Sequence, residues 1–303
     1  MKNKGLLFFA IFVALFIGFV VFDFKKEQKA EIQKEKQSIL IPLAADDIKE
    51  FSIIRNSQNL SLKKDSAGWF FTVPITELAD QKAVSEFLDI LVKEKSTGTA
   101  VESNIIDWKA FGLDQPKGSI EIKDIKGTLS SFRIGTIKNF QGDVFLQKGS
   151  ENKVLISSSA WFGRVDKKAF DFRDRRLLRL PTKEVKGIEF KQGQQKISLN
   201  KRDDQWVCLE KPDWKLDQNK VRELLSLFET TNIEEFLIEG EVDSEKLKTY
   251  ALGESKLNLT LDFGDNKRWS SQLYINKNKL HIAKVQNPAL LVKIAEFGFR
   301  KLT

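Results

Sequence analysis

The sequence contains one cysteine and one histidine among 303 residues, and this scarcity excludes several kinds of site. Cys208 cannot form a disulfide within the chain, and with His281 it cannot supply the three or four ligands of a zinc site. A catalytic triad with a histidine base would have to use His281. The phosphate-binding pattern G-x-x-x-x-G-K, the dinucleotide pattern G-x-G-x-x-G and the hydrolase pattern G-x-S-x-G are missing as well. We therefore predict no catalytic residues, no cofactor and no metal.

The chain also has no large excess of positive over negative residues. Lys and Arg number 50 against 42 Asp and Glu, which leaves a formal net charge of +8. Part of this surplus flanks the N-terminal segment, and the rest is too mild to predict a nucleic-acid partner. The 41% hydrophobic and 30% charged residues are typical of a globular protein. The length is that of two domains, at about 100–200 residues each.

The N-terminus does contain one long apolar run. Gly5–Phe22 is 18 residues without a charge. At about 1.5 Å per residue it spans roughly 27 Å, close to the thickness of a bilayer core. A cleaved signal peptide would have a shorter apolar core and a small-x-small cleavage site. We therefore predict an uncleaved membrane anchor over residues 1–24 and a charged, solvated helical stalk over residues 25–45. Lysines lie on both sides of the span, so the positive-inside rule leaves the orientation open.

The rest of the chain consists of two similar copies of one unit, residues 46–180 with a junction segment and residues 181–303. The strand-like segments Ile48–Ile53 and Val185–Phe190 match at a spacing of 137 positions. The ending Phe-x-Phe-Arg occurs in both copies, but at a spacing of 127. We interpret the shorter spacing as a smaller hairpin region in the second copy. The ordered series of matches predicts a tandem repeat.

Each copy alternates apolar and polar residues in short segments, which predicts antiparallel strands with one buried face. Asp80 is a predicted N-cap, and the apolar positions after it recur at helical spacing. Those positions are Val84, Phe87, Leu88 and Leu91. We therefore predict an α+β fold: an N-terminal transmembrane helix, then two tandem antiparallel β-sheet units, each with one main packed helix. Trp69, Trp206 and Cys208 are predicted core residues. His281 is predicted to lie on a surface strand.

The most distinctive charged cluster lies at the junction of the copies. It comprises Arg164, Lys167, Lys168, Arg173, Arg175, Arg176 and Arg179. One interpretation is a docking site for an acidic partner or lipid headgroups, because arginine forks bind carboxylate and phosphate well. The other is structural: Arg173 and Arg300 close each copy by bonding strand-end carbonyls or a nearby carboxylate. Since Arg175, Arg176 and Arg179 are not repeated, they are the predicted partner-binding residues.

Two aromatic residues complete the candidate surface. Trp161 and Phe162 have no clear partner in the second copy. An unmatched tryptophan can mark a contact surface, or it can fill an apolar gap between the copies. We keep both interpretations and include Trp161 and Phe162 among the predicted partner-binding residues.

Two short motifs accompany the anchor and the tandem unit: Phe-Gly-Leu-x-x-Pro at Phe111–Pro116, which leads into a strand, and Phe-Arg-Asp-Arg-Arg-Leu-Leu at Phe172–Leu178. With them the chain resembles the domain-of-unknown-function 4340 family over most of residues 46–302. The resemblance implies a single-pass protein of the bacterial inner (cytoplasmic) membrane, with the bulk of the chain outside the cytoplasm. Such proteins are often encoded beside ABC-transporter permease and gliding-motility-type auxiliary subunits. The family supplies no catalytic residues to carry over.

These features predict a non-enzymatic, membrane-anchored accessory subunit of an ABC-type transport or gliding-motility-like complex. It would contact the membrane through Gly5–Phe22 and bind permease or auxiliary subunits with its duplicated sheets. Two alternatives stay open. Acidic runs such as Asp46-Asp47, Glu234-Glu235 and Glu239–Asp243 are compatible with an anchored cell-envelope hydrolase that uses carboxylates. The basic cluster is compatible with a scaffold that binds envelope polymer or lipid.

Overall fold

The computed structural model of the protein describes residues 38–56 and 58–303, and in addition positions 23–26, 28, 33 and 35. The predicted membrane span, Gly5–Phe22, lies outside the described residues. The described positions up to residue 38 are helical, but the α-helix does not continue over residues 39–45, and Leu40 and Ile41 are buried in the first core. The prediction of a solvated helical stalk as far as residue 45 is therefore wrong for its last residues. Within the described part of the chain, no helix has both the length and the apolar character needed to cross a bilayer. The chain divides into two units, one ending at Arg173 and the other beginning at Asp174.

The first unit is built on one antiparallel sheet of eight strands. In chain order the strands are β1 (Ile48–Arg55), β2 (Gln58–Asp65), β3 (Gly68–Val73), β4 (Ser96–Glu102), β5 (Gly118–Asp124), β6 (Leu129–Lys138), β7 (Val144–Lys148) and β8 (Lys153–Ser157). Across the sheet they lie in the order β3-β2-β1-β5-β6-β7-β8-β4. Two runs of hairpins therefore meet where β1 pairs with β5, and β4 lies at the far edge beside β8.

The main helix of the first unit, α1 (Gln81–Leu91), begins where the sequence predicts. Asp80 accepts hydrogen bonds from the backbone N–H groups of Lys82 and Ala83 at 3.0 and 3.1 Å. The buried stripe of the helix consists of Val84, Phe87, Leu88 and Leu91. The predicted cap and stripe are thereby confirmed. Shorter helical segments are α2 (Ala160–Val165), α3 (Ala169–Phe172) and 3-10 turns at Ala45–Asp47 and Trp108–Phe111.

The second unit repeats this arrangement. Its strands are β9 (Gly187–Gln192), β10 (Gln195–Arg202), β11 (Gln205–Cys208), β12 (Ile233–Glu239), β13 (Leu257–Asp262), β14 (Arg268–Ile275), β15 (His281–Gln286) and β16 (Leu290–Ile294). They lie in the order β11-β10-β9-β13-β14-β15-β16-β12, which is the order of the first sheet strand for strand. The helices are α4 (Gln218–Thr230), α5 (Ser244–Thr249) and α6 (Glu296–Leu302), with a 3-10 turn at Thr182–Glu184. Two tandem antiparallel β units, each with one long helix, agree with the predicted fold.

Each unit has its own hydrophobic core. In the first unit, Phe51 lies at the centre of an aromatic cluster. The neighbouring ring centroids lie 5.6, 5.4 and 5.7 Å away and belong to Trp69, Phe87 and Phe172. In the second unit, Trp206 and Cys208 are buried with the apolar stripe of α4. The core positions predicted for Trp69, Trp206 and Cys208 are confirmed.

The spacing of 137 positions extends further than the sequence comparison indicated. Ile39 pairs with Lys95 in the first unit, and Arg176 pairs with Asn232 at the corresponding place in the second. The last strands, β8 and β16, also begin 137 positions apart. The hairpin region of the second copy is smaller, as predicted, but by only two residues, because β14 has eight residues where β6 has ten. Most of the shortening occurs after the last strand, where two short helices follow β8 and one follows β16.

This register places the start of each copy earlier than the sequence indicated. The Leu40 N–H donates to the carbonyl of Glu94 at 3.0 Å, and the Leu177 N–H donates to the carbonyl of Thr231 at 2.8 Å. Leu40 and Leu177 are both buried in the core of their own unit. The boundary predicted at Leu180 therefore falls inside the second copy, because the residues just before it already pack in the second core.

A glutamine in the first turn of the main helix fastens the third strand in each unit. The Gln81 side chain accepts a hydrogen bond from the Trp69 N–H at 2.7 Å. It donates to the carbonyls of Trp69 and Ala79 at 2.9 and 2.8 Å. Gln218 makes the same three bonds with Trp206 and Leu216. One side-chain amide thus satisfies a backbone donor and two backbone acceptors beside the edge strand.

Replacing Gln81 by alanine should lower the free energy of unfolding of the first unit by about 1–3 kcal/mol, because the Trp69 N–H and the Ala79 carbonyl lose their side-chain partner together. The Trp69 carbonyl keeps its hydrogen bond from the Ala79 N–H. Hydrogen–deuterium exchange of the slowest amides of the first unit measures this loss. Gln81→Glu keeps the acceptor for Trp69 but places a carboxylate oxygen against the two carbonyl oxygens, so it should destabilise the first unit at least as much as Gln81→Ala. Unchanged exchange in Gln81→Ala would show that water replaces the side chain without cost.

Candidate functional site

The structure separates the predicted basic cluster into parts with different roles. Arg164 forms an ion pair with Glu94, and both side chains are largely buried. Arg173 is 5% exposed, and its Nε lies 2.6 Å from Glu77 Oε1. Arg173 therefore has the closing role that the repeat predicted, through a nearby carboxylate. Arg300 instead pairs with a glutamate one turn earlier on α6 and is exposed.

The three arginines predicted to bind a partner lie on the segment that precedes the first strand of the second unit. Arg176 Nη2 lies 2.6 Å from Asp174 Oδ2. Burial raises the pKa of the Asp174 carboxyl, but the hydrogen bonds from Arg176 outweigh it and hold this pKa below its usual value. The Arg179 guanidinium lies 6.0 Å from the ring centroid of Phe236, and Arg175 is exposed. Arg176 is thus held by its neighbour, and partner binding by the three arginines stays a prediction.

Trp161 is not a surface residue. Its side chain is 0% exposed, and its ring centroid lies 5.3 Å from that of Phe132. Its Nε1–H donates to Ser157 Oγ at 3.0 Å. Helix α2 begins just after β8 and places this side chain in the core of the first unit. A residue in this position offers no surface to a partner, so the contact role predicted for Trp161 is wrong.

Phe162, the next residue, is half-buried and has two cations against its ring. The Nζ atoms of Lys117 and Lys138 lie 5.2 and 4.9 Å from the ring centroid. Lys117 also lines a groove of the first unit. Phe162 therefore supports the wall of that groove.

The groove lies at the turn between β1 and β2 and consists of two connected depressions of about 550 and 590 Å³. Both depressions are lined by Arg55 and Gln58. The further polar and apolar lining residues include Gln115, Pro116, Lys117 and Asp166 in one, and Asn59, Pro74, Lys167, Lys168 and Phe170 in the other. Five separate stretches of chain contribute: the β1–β2 hairpin, the end of β3 with Pro74, the loop before β5, strand β6, and the linker from α2 into α3.

Positive charge dominates this groove. Asp166 Oδ1 lies 3.3 Å from Arg55 Nη1 and 3.0 Å from Lys117 Nζ, and so holds both cations in place. Lys167 and Lys168 on the same linker add two further positive charges. The lining thus has four cations and one carboxylate. Such a lining attracts carboxylate or phosphate groups and raises their local concentration.

The loop before β5 is fixed by the Phe-Gly-Leu-x-x-Pro motif. Gly112 has φ +64, and its carbonyl accepts a hydrogen bond from the Thr136 N–H at 3.1 Å. A Cβ at Gly112 would clash with Thr136, so this position requires glycine. Leu113 is fully buried, and its carbonyl accepts a hydrogen bond from Arg133 on β6. The motif therefore places Gln115–Lys117 at the groove.

Sequence reasoning missed the central trio of the groove, Arg55, Lys117 and Asp166. Arg55 and Asp166 are 111 positions apart, and no spacing pattern joins them. The sequence feature that could have indicated the groove is the basic pair Lys167-Lys168, which was treated as part of the larger basic cluster. The fold separates that linker from Arg175, which belongs to the second unit.

The two residues with the most reactive side chains, His281 and Cys208, belong to the second unit. His281 is the first residue of β15, as a strand position predicts, and its half-buried ring lies 4.7 Å from that of Phe299. Cys208 is buried, with its Sγ 3.6 Å from Glu210 Oε2. In the described residues, no three His, Cys, Asp or Glu side chains are grouped so that they could hold a metal ion.

A family model, Domain of unknown function (DUF4340), matches residues 69–255 of the chain. The match begins in β3 of the first unit and ends just before β13 of the second, so it includes both motifs from which the resemblance was inferred. The resemblance is thereby confirmed. Searches of the curated proteins and of the solved structures give no match.

Proposed function

We propose, for a chain that belongs to the domain-of-unknown-function 4340 family, a role as a membrane-anchored accessory subunit of an ABC-type transport or gliding-motility-like complex. The protein binds partner subunits and is not an enzyme. Gly5–Phe22 anchors it in the bacterial inner membrane by a single span, and both units lie outside the cytoplasm. The observation that carries the proposal is the basic groove of the first unit.

The groove suits an extended acidic segment of a protein partner better than a compact ligand. Its two depressions lie side by side and share Arg55 and Gln58 in their linings. Amide side chains along the track, such as Gln58 and Gln115, can donate to and accept from a peptide backbone. The cations can bind the acidic side chains of the same segment. Pro74 and Phe170 supply apolar contact in the second depression.

The test of this role is the capture of partners from native membranes. The full-length protein is purified in mild detergent after brief crosslinking, and the proteins that accompany it are identified by mass spectrometry. We expect transporter permease, ATPase or auxiliary subunits in a fixed ratio to the chain. A protein that purifies without them would refute the accessory role.

A pair of double variants tests the groove itself. Lys167→Ser/Lys168→Ser removes two cations of the groove, and should reduce partner capture by about tenfold or more. Lys123→Ser/Lys126→Ser removes the same charge from exposed positions at the opposite end of β5 and serves as the matched control. Equal capture by the two variants would exclude the groove as the partner-binding site. It would not refute the role as an accessory subunit. Hydrogen exchange of the first unit verifies that both variants are folded.

A further inference from the structure

A pocket of about 410 Å³ lies in the second unit, between the 3-10 turn at Thr182–Glu184, the β10–β11 turn and helix α4. This volume is within the range of small-molecule sites. Trp206, Val185 and Leu225 line the pocket, and all three are buried. They give it an apolar floor.

Three cations from three different elements line the same pocket: Lys183 from the 3-10 turn, Lys201 from β10 and Arg222 from α4. The one carboxylate in the lining, Asp204, pairs with Lys201 at 2.9 Å and is almost fully exposed. Glu229 bonds to the 3-10 turn but does not line the pocket. Neither Lys183 nor Arg222 pairs with a carboxylate of the described chain. The lining therefore keeps two net positive charges.

The first copy shows which parts of this pocket the fold requires. The floor is conserved between the copies, since Val185, Trp206 and Leu225 correspond at 137 positions to Ile48, Trp69 and Leu88. The rim differs, because the first copy has Asp46 where the second has Lys183, and Ser85 where the second has Arg222. Lys64 occupies the place of Lys201 and lies 3.8 Å from Asp46. The same fold thus forms with a neutral rim, so folding does not account for the added cations.

We propose that this pocket of the second unit binds a phosphate-bearing ligand. Two net positive charges match a phosphate monoester, which carries about −1.5 to −2 at neutral pH, better than a single carboxylate. Arg222 Nη2 donates to Asn219 Oδ1, and the other N–H groups of this exposed guanidinium are available to phosphate oxygens. Lys183 and Lys201 act as point charges beside it. The apolar floor accommodates the organic part of the ligand. This site is independent of the groove in the first unit.

Isothermal titration of the full-length protein in non-ionic detergent tests the site, with glycerol 3-phosphate as the probe and acetate as the carboxylate reference. We expect binding of the phosphate compound, weakened by added salt, and none of acetate. Vesicles of phosphatidylcholine with and without phosphatidic acid form a second arm. Binding to phosphatidic acid vesicles, but not to glycerol 3-phosphate, identifies a lipid headgroup as the source of the phosphate. Absence of binding in both arms, or equal binding of acetate, overturns the proposal.

The corresponding residues of the first copy indicate which substitutions to make in the second. Lys183→Asp/Arg222→Ser installs the residues of the first copy and should weaken phosphate binding by about 100-fold, since two charge-assisted contacts are lost. Lys220→Ser removes an exposed cation of α4 that does not line the pocket, and should bind as wild type does. Undiminished binding by the double variant overturns the proposal. The reciprocal change, Asp46→Lys/Ser85→Arg, should add a second phosphate site per chain.

Discussion

Replacing Phe51 by alanine should lower the free energy of unfolding of the first unit by about 3–5 kcal/mol. The side chain is 1% exposed and contacts the rings of Trp69, Phe87 and Phe172. The sheet, helix α1 and helix α3 thus meet at this ring. Its removal loses the transfer free energy of the side chain and leaves a cavity among rigid neighbours. Hydrogen exchange of the slowest amides of the first unit, in the full-length protein, measures the change without mixing it with the second unit.

Phe140→Ala is the matched control, because it is the same substitution in the same unit. Phe140 lies in the β6–β7 turn and is 97% exposed. Its replacement should change the free energy of unfolding by less than about 0.5 kcal/mol. Comparable losses in Phe51→Ala and Phe140→Ala would contradict the core described above.

The second large effect is expected at the buried ion pair of the first unit. Glu77→Gln keeps the shape of the side chain and removes its charge, which leaves the guanidinium of Arg173 without that carboxylate. Since Arg173 is almost fully buried, the free energy of unfolding should fall by about 3–5 kcal/mol. The same exchange measurement on the first unit reports the loss. Arg173 also lies at the boundary between the units, so the amides near it should lose protection first.

Two further variants separate charge from packing. Glu102→Gln disrupts the ion pair with Lys153, in which the charged atoms lie 3.0 Å apart, Glu102 is exposed and Lys153 is partly exposed. This change should cost about 0–1 kcal/mol. Glu77→Leu/Arg173→Met removes both charges and should recover most of the stability lost in Glu77→Gln. If the double variant were as unstable as Glu77→Gln, the loss would come from shape and not from removal of the Glu77 charge.

The parts of the fold that could be predicted are those set by neighbouring residues. Asp80 caps α1 because the cap and the apolar stripe lie within one continuous segment. The strand expected after the Phe111–Pro116 motif is found as β5 at Gly118–Asp124, because its alternation reflects one buried face. The tandem organisation could be predicted because the two copies have the same pattern in the same order.

What could not be predicted depends on contacts between distant segments. Arg55 and Asp166 meet because β1 lies at the centre of the sheet while α2 follows its last strand. Trp161 was included among the candidate contact residues, beside its interpretation as an apolar gap-filler, because it had no match in the second copy. Its burial depends on the turn after β8, which places the side chain in the core of the first unit. Strand β4 was missed because its residues are small and polar, without an apolar alternation.

The edge position of β4 imposes an order of assembly on a chain that emerges from the ribosome N-terminus first. Strand β4 is synthesised before β5–β8, but it pairs with β8. It therefore has no partner strand until β8 has been synthesised. An unpaired apolar strand would recruit other chains, but β4 has the sequence Ser-Thr-Gly-Thr-Ala-Val-Glu. Its counterpart β12, which waits for β16, contains Glu234, Glu235 and Glu239. These compositions protect the nascent protein from aggregation until the last hairpin of each unit is complete.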